Sequence, residues 1–303
     1  GSYTPLVTPF RAGKVDLDKF AALVERQVLE GSHGIVVTGT TAEPSSLTID
    51  ERGDLFEVAV KTAAGRIPVV AASGSQSFAE TAELTSRAEK AAVDGLLIVT
   101  PYYIRPSQRG LAEYFIAIGK RTGLPLMIYH IPGRTAVSME VTAIANVAEK
   151  LPNLVGIKHA VNDLEFVTEV LLRLGGEFRV FCGLESLSFP MLAIGASGVM
   201  NAVGNLDPAR VASMCSETAA GNWNAARRLH FDLFELNRAI FLDTNPVPLK
   251  YMMARIGLLE TPEVRLPLVP PDDQKAKILD EVLRRAGLLE SSMQEAGLPG
   301  ARV

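Results

Sequence analysis

Cysteine is nearly absent. Cys182 and Cys215 are the only two in 303 residues, both in apolar surroundings and without CxxC spacing. That excludes a disulfide framework and a thiolate zinc or redox motif, and the expectation is two buried free thiols in a reducing cytoplasm. Histidine is scarce as well. His33, His130, His159 and His230 form no HxxxH or HxH pair, so no protein-ligated transition metal is expected. Positive charge is not in excess: the net charge of −4 provides no basic field for nucleic acid or an anionic membrane surface. No apolar run approaches the ~20 residues that span a bilayer. Gly1-Ser2 reads as an added dipeptide, and no signal-peptide pattern follows it. There is also no low-complexity linker, and no GxGxxG follows the first strand-like run.

What is present is apolar residues, at 48% of the chain, enough for a large core. They are arranged as short β-branched runs alternating with helical periodicity. Strands are predicted at 3–9, 34–40, 67–73, 95–101, 124–132, 154–158, 178–183 and 196–202. Helical patterns follow nearly every one; in 163–174, for example, Leu164, Val167, Val170/Leu171 and Leu174 share a face. Eight such units point to a parallel sheet, and packing them into about 220 residues favours a closed (β/α)8 TIM barrel over an open doubly wound sheet. The fold class is therefore α/β. Residues 3–221 form the predicted barrel. Residues 222–303 form a predicted C-terminal helical extension (222–241, 246–257, 273–287) joined by Pro-rich turns, with 296–303 frayed.

Active sites of such barrels lie at the C-terminal ends of the strands. The polar residues predicted there are Thr8; Thr38, Gly39, Thr40, Thr41 and Glu43; Ser73; Thr100, Tyr102 and Tyr103; Tyr129, His130 and Arg134; Lys158 and His159; Glu185; and Asn201. They contain no carboxylate cluster for a divalent metal and no Ser-His-Asp set. They do contain one lysine, Lys158, closing the apolar run LVGIK, with tyrosines, hydroxyls and an arginine around it. An apolar site disfavours a charged amine, and a neutral amine attacks a keto carbon to form a Schiff base. Tyrosine and threonine can relay the protons of that chemistry, and arginine grips a carboxylate. The set suits a 2-oxo acid. A strand-end lysine is also often a plain ion-pair partner, Thr40-Thr41 could simply cap a helix, and Tyr102-Tyr103 could be surface packing.

Five motifs in order, GTTAE (39–43), VTPYY followed by RPSQ (99–108), YHIPGRT (129–135), GIKHA (156–160) and TNPVPLK (244–250), together resemble the dihydrodipicolinate synthase / N-acetylneuraminate lyase family from the first strand to about residue 257. The resemblance implies a (β/α)8 barrel with a helical extension, usually a homotetramer built as a dimer of dimers. It also implies a metal-independent class I lyase needing no cofactor beyond a covalent imine on Lys158. Small-molecule substrates are implied, pyruvate and an aldehyde. By the same resemblance Lys158 is the Schiff-base lysine, with Tyr129, Thr40 and Tyr103 in the proton relay, Tyr103 reaching across a dimer interface. Thr41, Arg134 and Gly39 are implied as substrate-binding, with Arg134 taking the far carboxylate of the aldehyde.

Against that pattern the chain has Ala42 for the usual Gly, His130 for the usual Asn after the tyrosine, and His159 for the usual Glu after the lysine. These departures are expected to bear on the choice of aldehyde. Condensation of pyruvate with aspartate semialdehyde is the first expectation. Aldol cleavage of 2,4-dihydroxyhept-2-ene-1,7-dioate, or reaction of a sugar-acid-like 2-oxo acid, is the alternative. A non-catalytic 2-oxo-acid binder would have dispensed with Lys158 and Tyr129, and a metal-dependent aldolase lacks its ligands. The segment SSLTIDER (45–52) has no histidine and Gln76 stands where Asn is common, while Glu80 is kept, so feedback inhibition by lysine is expected to be weak or absent.

Overall fold

The strands carry apolar residues on both faces because both faces are covered, the inner by the barrel's own interior and the outer by helices. The computed structural model describes residues 1–290; the expected fraying at 296–303 lies outside the described residues. Eight parallel strands run in chain order: β1 Tyr3–Pro5, β2 Gly34–Val37, β3 Val69–Ala72, β4 Gly95–Val99, β5 Leu126–His130, β6 Leu154–His159, β7 Arg179–Cys182 and β8 Gly198–Val199. A bridge between Ser2 and Val199 joins the last strand to the first. Gly1 and Ser2, read from the sequence as an added dipeptide, therefore sit in the closing seam, where the Gly1 carbonyl accepts from Val199 N–H at 3.0 Å.

Alternation along the strands separates two apolar layers. Val36, Val70, Leu97, Met127, Tyr129, Phe181 and Met200 fill the interior. Ile35, Val69, Ile98, Ile128, Ile157 and Val180 face outward onto the helices. The helices are α1 Leu17–Leu29, α2 Ile49–Ala63, α3 Phe78–Lys90, α4 Gln108–Gly119, α5 Val141–Lys150, α6 Leu164–Leu174, α7 Ser188–Ala193 and α8 Pro208–Ala219. Their starts follow side-chain chemistry. Thr48 and Glu51 form a reciprocal capping box on α2, Ser77 and Ser107 cap α3 and α4, and Asp163 caps α6.

Two sequence expectations change. The predicted strand 3–9 is short, and it is followed by an antiparallel hairpin pairing Phe10–Arg11 with Lys14–Val15. The predicted helix 222–241 is two helices, α9 Trp223–Asp232 and α10 Phe234–Ala239, linked through Leu233. α11 Val247–Arg255 and α12 Asp273–Arg285 complete the described chain.

Candidate functional site

One irregularity decides what faces the barrel interior. Leu126 of β5 is opposite Leu154 of β6, but Met127 is opposite Gly156, so β6 carries one extra residue there. A one-residue slip moves every later side chain to the other face. Beyond it Tyr129 pairs with Lys158 and His130 with His159. Tyr129 and Lys158 thus enter the interior, and the two histidines go to the outer layer.

Lys158 is buried, and its Nζ lies 4.4 Å from the centre of the Tyr129 ring, on the ring face. Glycine at 183 makes room for it: a Cβ there would stand 2.7 Å from Lys158 Cε. The turn after β2 brings in the hydroxyls. Thr38 holds a positive φ of 56°, uncommon for a β-branched residue, and ties its Oγ1 to the Ala72 carbonyl at 2.9 Å. Next, Thr40–Ala42 form a short 3-10 turn, with Thr40 Oγ1 3.4 Å from the Tyr129 hydroxyl. Thr41 Oγ1 accepts from Asn245 Nδ2 at 3.0 Å, and Arg134 donates to the Asn245 carbonyl at 3.3 Å.

These residues border two connected spaces. A chamber of about 40 Å³ is lined by Lys158, Tyr129, Thr40, Thr41, Arg134, Gly183, Glu185 and Asn245, among others. Thr40, Tyr129, Arg134 and Asn245 also border a cleft of about 580 Å³ that takes in Gly39, Arg52, Gln76, Glu80 and Tyr102. Six of the seven predicted site residues, Lys158, Tyr129, Thr40, Thr41, Arg134 and Gly39, therefore meet at one mouth. The seventh, Tyr103, does not: it is 85% exposed on a positive φ of 72° and lines neither space. His130, His159 and Ala42, expected to bear on the aldehyde, also line neither space.

Two groups had no role assigned from sequence. Glu185 is fully buried; its Oε1 accepts from Ala202 N–H at 2.7 Å and its Oε2 has no partner among the described residues. Burial pushes its carboxyl up to about 7, against the pull of the Ala202 amide and of Lys158. Its position at a predicted strand end was the only signal. Asn245 lies inside the TNPVPLK motif, but its contact with Thr41 spans 204 residues, which no local pattern reveals. Arg52, buried in the cleft wall, is lowered to about 10 by desolvation and donates to the Ala72 carbonyl. Among the described residues no three His, Cys, Asp or Glu side chains gather where they could hold a metal.

The fold and site define an enzyme barrel with a buried amine among hydroxyls at its C-terminal mouth. A sequence model of the Dihydrodipicolinate synthetase family matches residues 1–286, and the chain belongs to that family of aldolase-type lyases. It is 43% identical to the 4-hydroxy-tetrahydrodipicolinate synthase of Thermus thermophilus, over 98% of this chain and 99% of that one. The crystal structure of dihydrodipicolinate synthase from Aquifex aeolicus superposes with a TM-score of 0.93 at 38% identity, covering 95% of this chain and 98% of that one. The Acinetobacter baumannii enzyme, solved with pyruvate, gives 0.92 at 33% identity, covering 95% and 99%. These relatives carry the synthase name, not that of a catabolic aldolase.

Proposed function

We propose that the chain catalyses a 4-hydroxy-tetrahydrodipicolinate synthase reaction, condensing pyruvate with aspartate semialdehyde through an imine on Lys158. The observation that carries this is the company of Lys158: a buried amine with no carboxylate in ion-pair range among the described residues, on the Tyr129 ring and opening on a chamber sized for a small 2-oxo acid. Lys158 Nζ attacks the keto carbon of pyruvate, and the carbinolamine loses water to give the imine. Loss of a methyl proton gives an enamine, whose carbon attacks the aldehyde. Tyr129 and Thr40, hydroxyl to hydroxyl, pass the protons that these steps release and take up. Thr41 and the backbone from Gly39 onward receive the pyruvate carboxylate. Arg134, exposed between chamber and cleft, receives the far carboxylate of the aldehyde. No metal or organic cofactor enters these steps.

In this reading the barrel, residues 3–221, supplies the nucleophile, and the described part of the C-terminal extension closes its wall through Asn245. Tyr103 stands outward, ready to complete the relay of a second copy, and the assembly is a homotetramer of two such dimers. The same reading gives weak or no inhibition by lysine.

Borohydride reduction in the presence of pyruvate is expected to add a mass to the peptide carrying Lys158. Among candidate aldehydes, aspartate semialdehyde is expected to consume the enamine fastest. Lys158→Ala should abolish both. No adduct on Lys158 from pyruvate would sink the reading, and faster consumption by succinic semialdehyde would replace the substrate.

A further inference from the structure

The residues that directly follow Tyr129 and Lys158 in their strands are both histidines, and they meet on the outer side of the barrel wall. His130 Nδ1 and His159 Nδ1 are 3.1 Å apart and buried. The proton order along this pair is fixed by a neighbour. The Met139 backbone N–H donates to His130 Nε2 at 3.1 Å, so that nitrogen is an acceptor and the ring's proton is on Nδ1. That proton is donated to His159 Nδ1, which leaves His159 with its own proton on Nε2. Both rings are neutral in this arrangement. Phe166 of α6 stacks on both, 4.5 Å from His159 and 5.1 Å from His130, with interplanar angles of 12° and 20°.

We propose that His130 and His159 form a neutral, proton-ordered clamp between β5 and β6 that positions Tyr129 against Lys158. The two strands would otherwise be held at this end only by backbone hydrogen bonds, just beyond the extra residue of β6 where the register has slipped. A side-chain bond one residue past the reacting pair fixes the register where the amine and the phenol must be set against each other. The pair has a cost that packing alone does not explain. Among the described residues His159 Nε2 has no partner at full hydrogen-bond geometry, only the weaker pull of the Asp163 backbone, and a buried donor met so poorly costs up to about 1–3 kcal/mol. An apolar pair of the same shape would avoid it.

The clamp works only with both rings uncharged. A proton added to the accepting nitrogen would set N–H against N–H at 3.1 Å. The groups facing the pair agree with this. Asp163, capping α6, is the one carboxylate acting on both rings, and its side chain is engaged by Phe166 N–H at 2.9 Å. The segment before α5 contributes only the Met139 amide and the Ser138 hydroxyl, 3.3 Å from His130 Nε2. Burial first, and for His130 then the neighbouring His159, hold both rings at about 4.

The inference rests on Lys158 and Tyr129 being the reacting pair, and the test separates the two claims. Asparagine places Oδ1 near where histidine has Nδ1, so His159→Asn keeps the acceptor while losing the stacked ring; His159→Leu loses both. His159→Leu is expected to slow imine formation with pyruvate on the order of 10- to 100-fold, the scale of a small misplacement of reacting groups, with KM for pyruvate little changed. His159→Asn is expected to recover most of that rate. Ring-nitrogen NMR of the unmodified protein at neutral pH should show His130 protonated on Nδ1 and His159 on Nε2. A wild-type rate in His159→Leu overturns the clamp, as do equally slow leucine and asparagine variants or an imidazolium on either ring at neutral pH. If the leucine variant does not fold, the asparagine rate and the nitrogen spectra decide. Failure of the unmodified protein to form an imine would instead overturn the role of Lys158.

Discussion

Lys158 and Lys250 are both buried lysines, and their company separates them. Lys250 Nζ donates to Glu43 Oε1 at 2.8 Å and lies over the Phe10 ring, so its charge is matched where it sits. Lys158 has no such partner among the described residues; the sequence singled it out because it closes an apolar run at a strand end, whereas Lys250, inside a C-terminal helix, was marked only as part of TNPVPLK. Glu185 was visible only as a strand-end carboxylate. Its burial in the same chamber could not be read from GLES. Its raised value gives a signed prediction. The unfolded carboxyl ionises near 4.5 and the folded one near 7, so stability falls as pH rises between them and the loss persists above 7. Glu185→Gln keeps an oxygen for the Ala202 amide and cannot ionise. Compared at each pH, so that other titrations cancel, the two proteins are expected to match near pH 4. At pH 8 the glutamine variant should be the more stable by up to roughly 3 kcal/mol, since each tenfold difference in proton affinity between the folded and unfolded carboxyl is worth about 1.4 kcal/mol. Urea unfolding at both values measures it, and a difference that does not change with pH would contradict the buried acid.

Secondary elements were legible where the pattern was periodic. All eight strands lie where apolar β-branched runs ended in polar turns, most of them shorter than the runs because the ends of those runs belong to loops. The hairpin after β1 was missed although Ala12-Gly13, both at positive φ, is the kind of two-residue turn that closes one. The extra residue in β6 was not legible at all. Counting alternation from Leu154 puts Lys158 on the outer face, and only the pairing with β5 reveals that the count resets. Gly156 marks the place: a Cβ there would run into the Arg179 carbonyl of β7, which is backbone and cannot rotate away. Gly156→Ala is expected to cost roughly 1–3 kcal/mol, as overpacking does. Because the strand can yield only by shifting along β7, the rate of imine formation should fall with it. Calorimetry with pyruvate trapping on the same variant checks both, and full stability with full trapping would show that the bulge tolerates a methyl group.

At the scale of the whole molecule, the C-terminal helices belong to the site as much as the barrel does. TNPVPLK stood out in the sequence as a motif without a task, because its partners are some 200 residues away. In the structure Asn245 reaches Thr41, and Lys250 with the Arg265 backbone N–H takes both oxygens of Glu43, at 2.8 and 3.0 Å. Glu43 holds a left-handed φ of 58° as the residue that ends the Thr40–Ala42 turn. The ion pair is thus the point at which helix α11 sets the geometry of the hydroxyl-bearing loop. Lys250→Met leaves the Glu43 carboxylate buried without its cation, and breaking a buried pair in this way costs about 3–5 kcal/mol. Activity should fall in the protein that remains folded, since the freed carboxylate pulls Thr40 and Thr41 from their positions. Adding Glu43→Gln removes the stranded charge while keeping an acceptor for Arg265 N–H. The double variant is therefore expected to regain most of the stability but not the rate, because nothing then draws the loop onto α11. A double-mutant cycle of unfolding free energy and pyruvate trapping measures both couplings. Additive stability effects would mean that Lys250 and Glu43 are neighbours without being partners, and full activity in the double variant would mean that the helices support the barrel but do not shape its site.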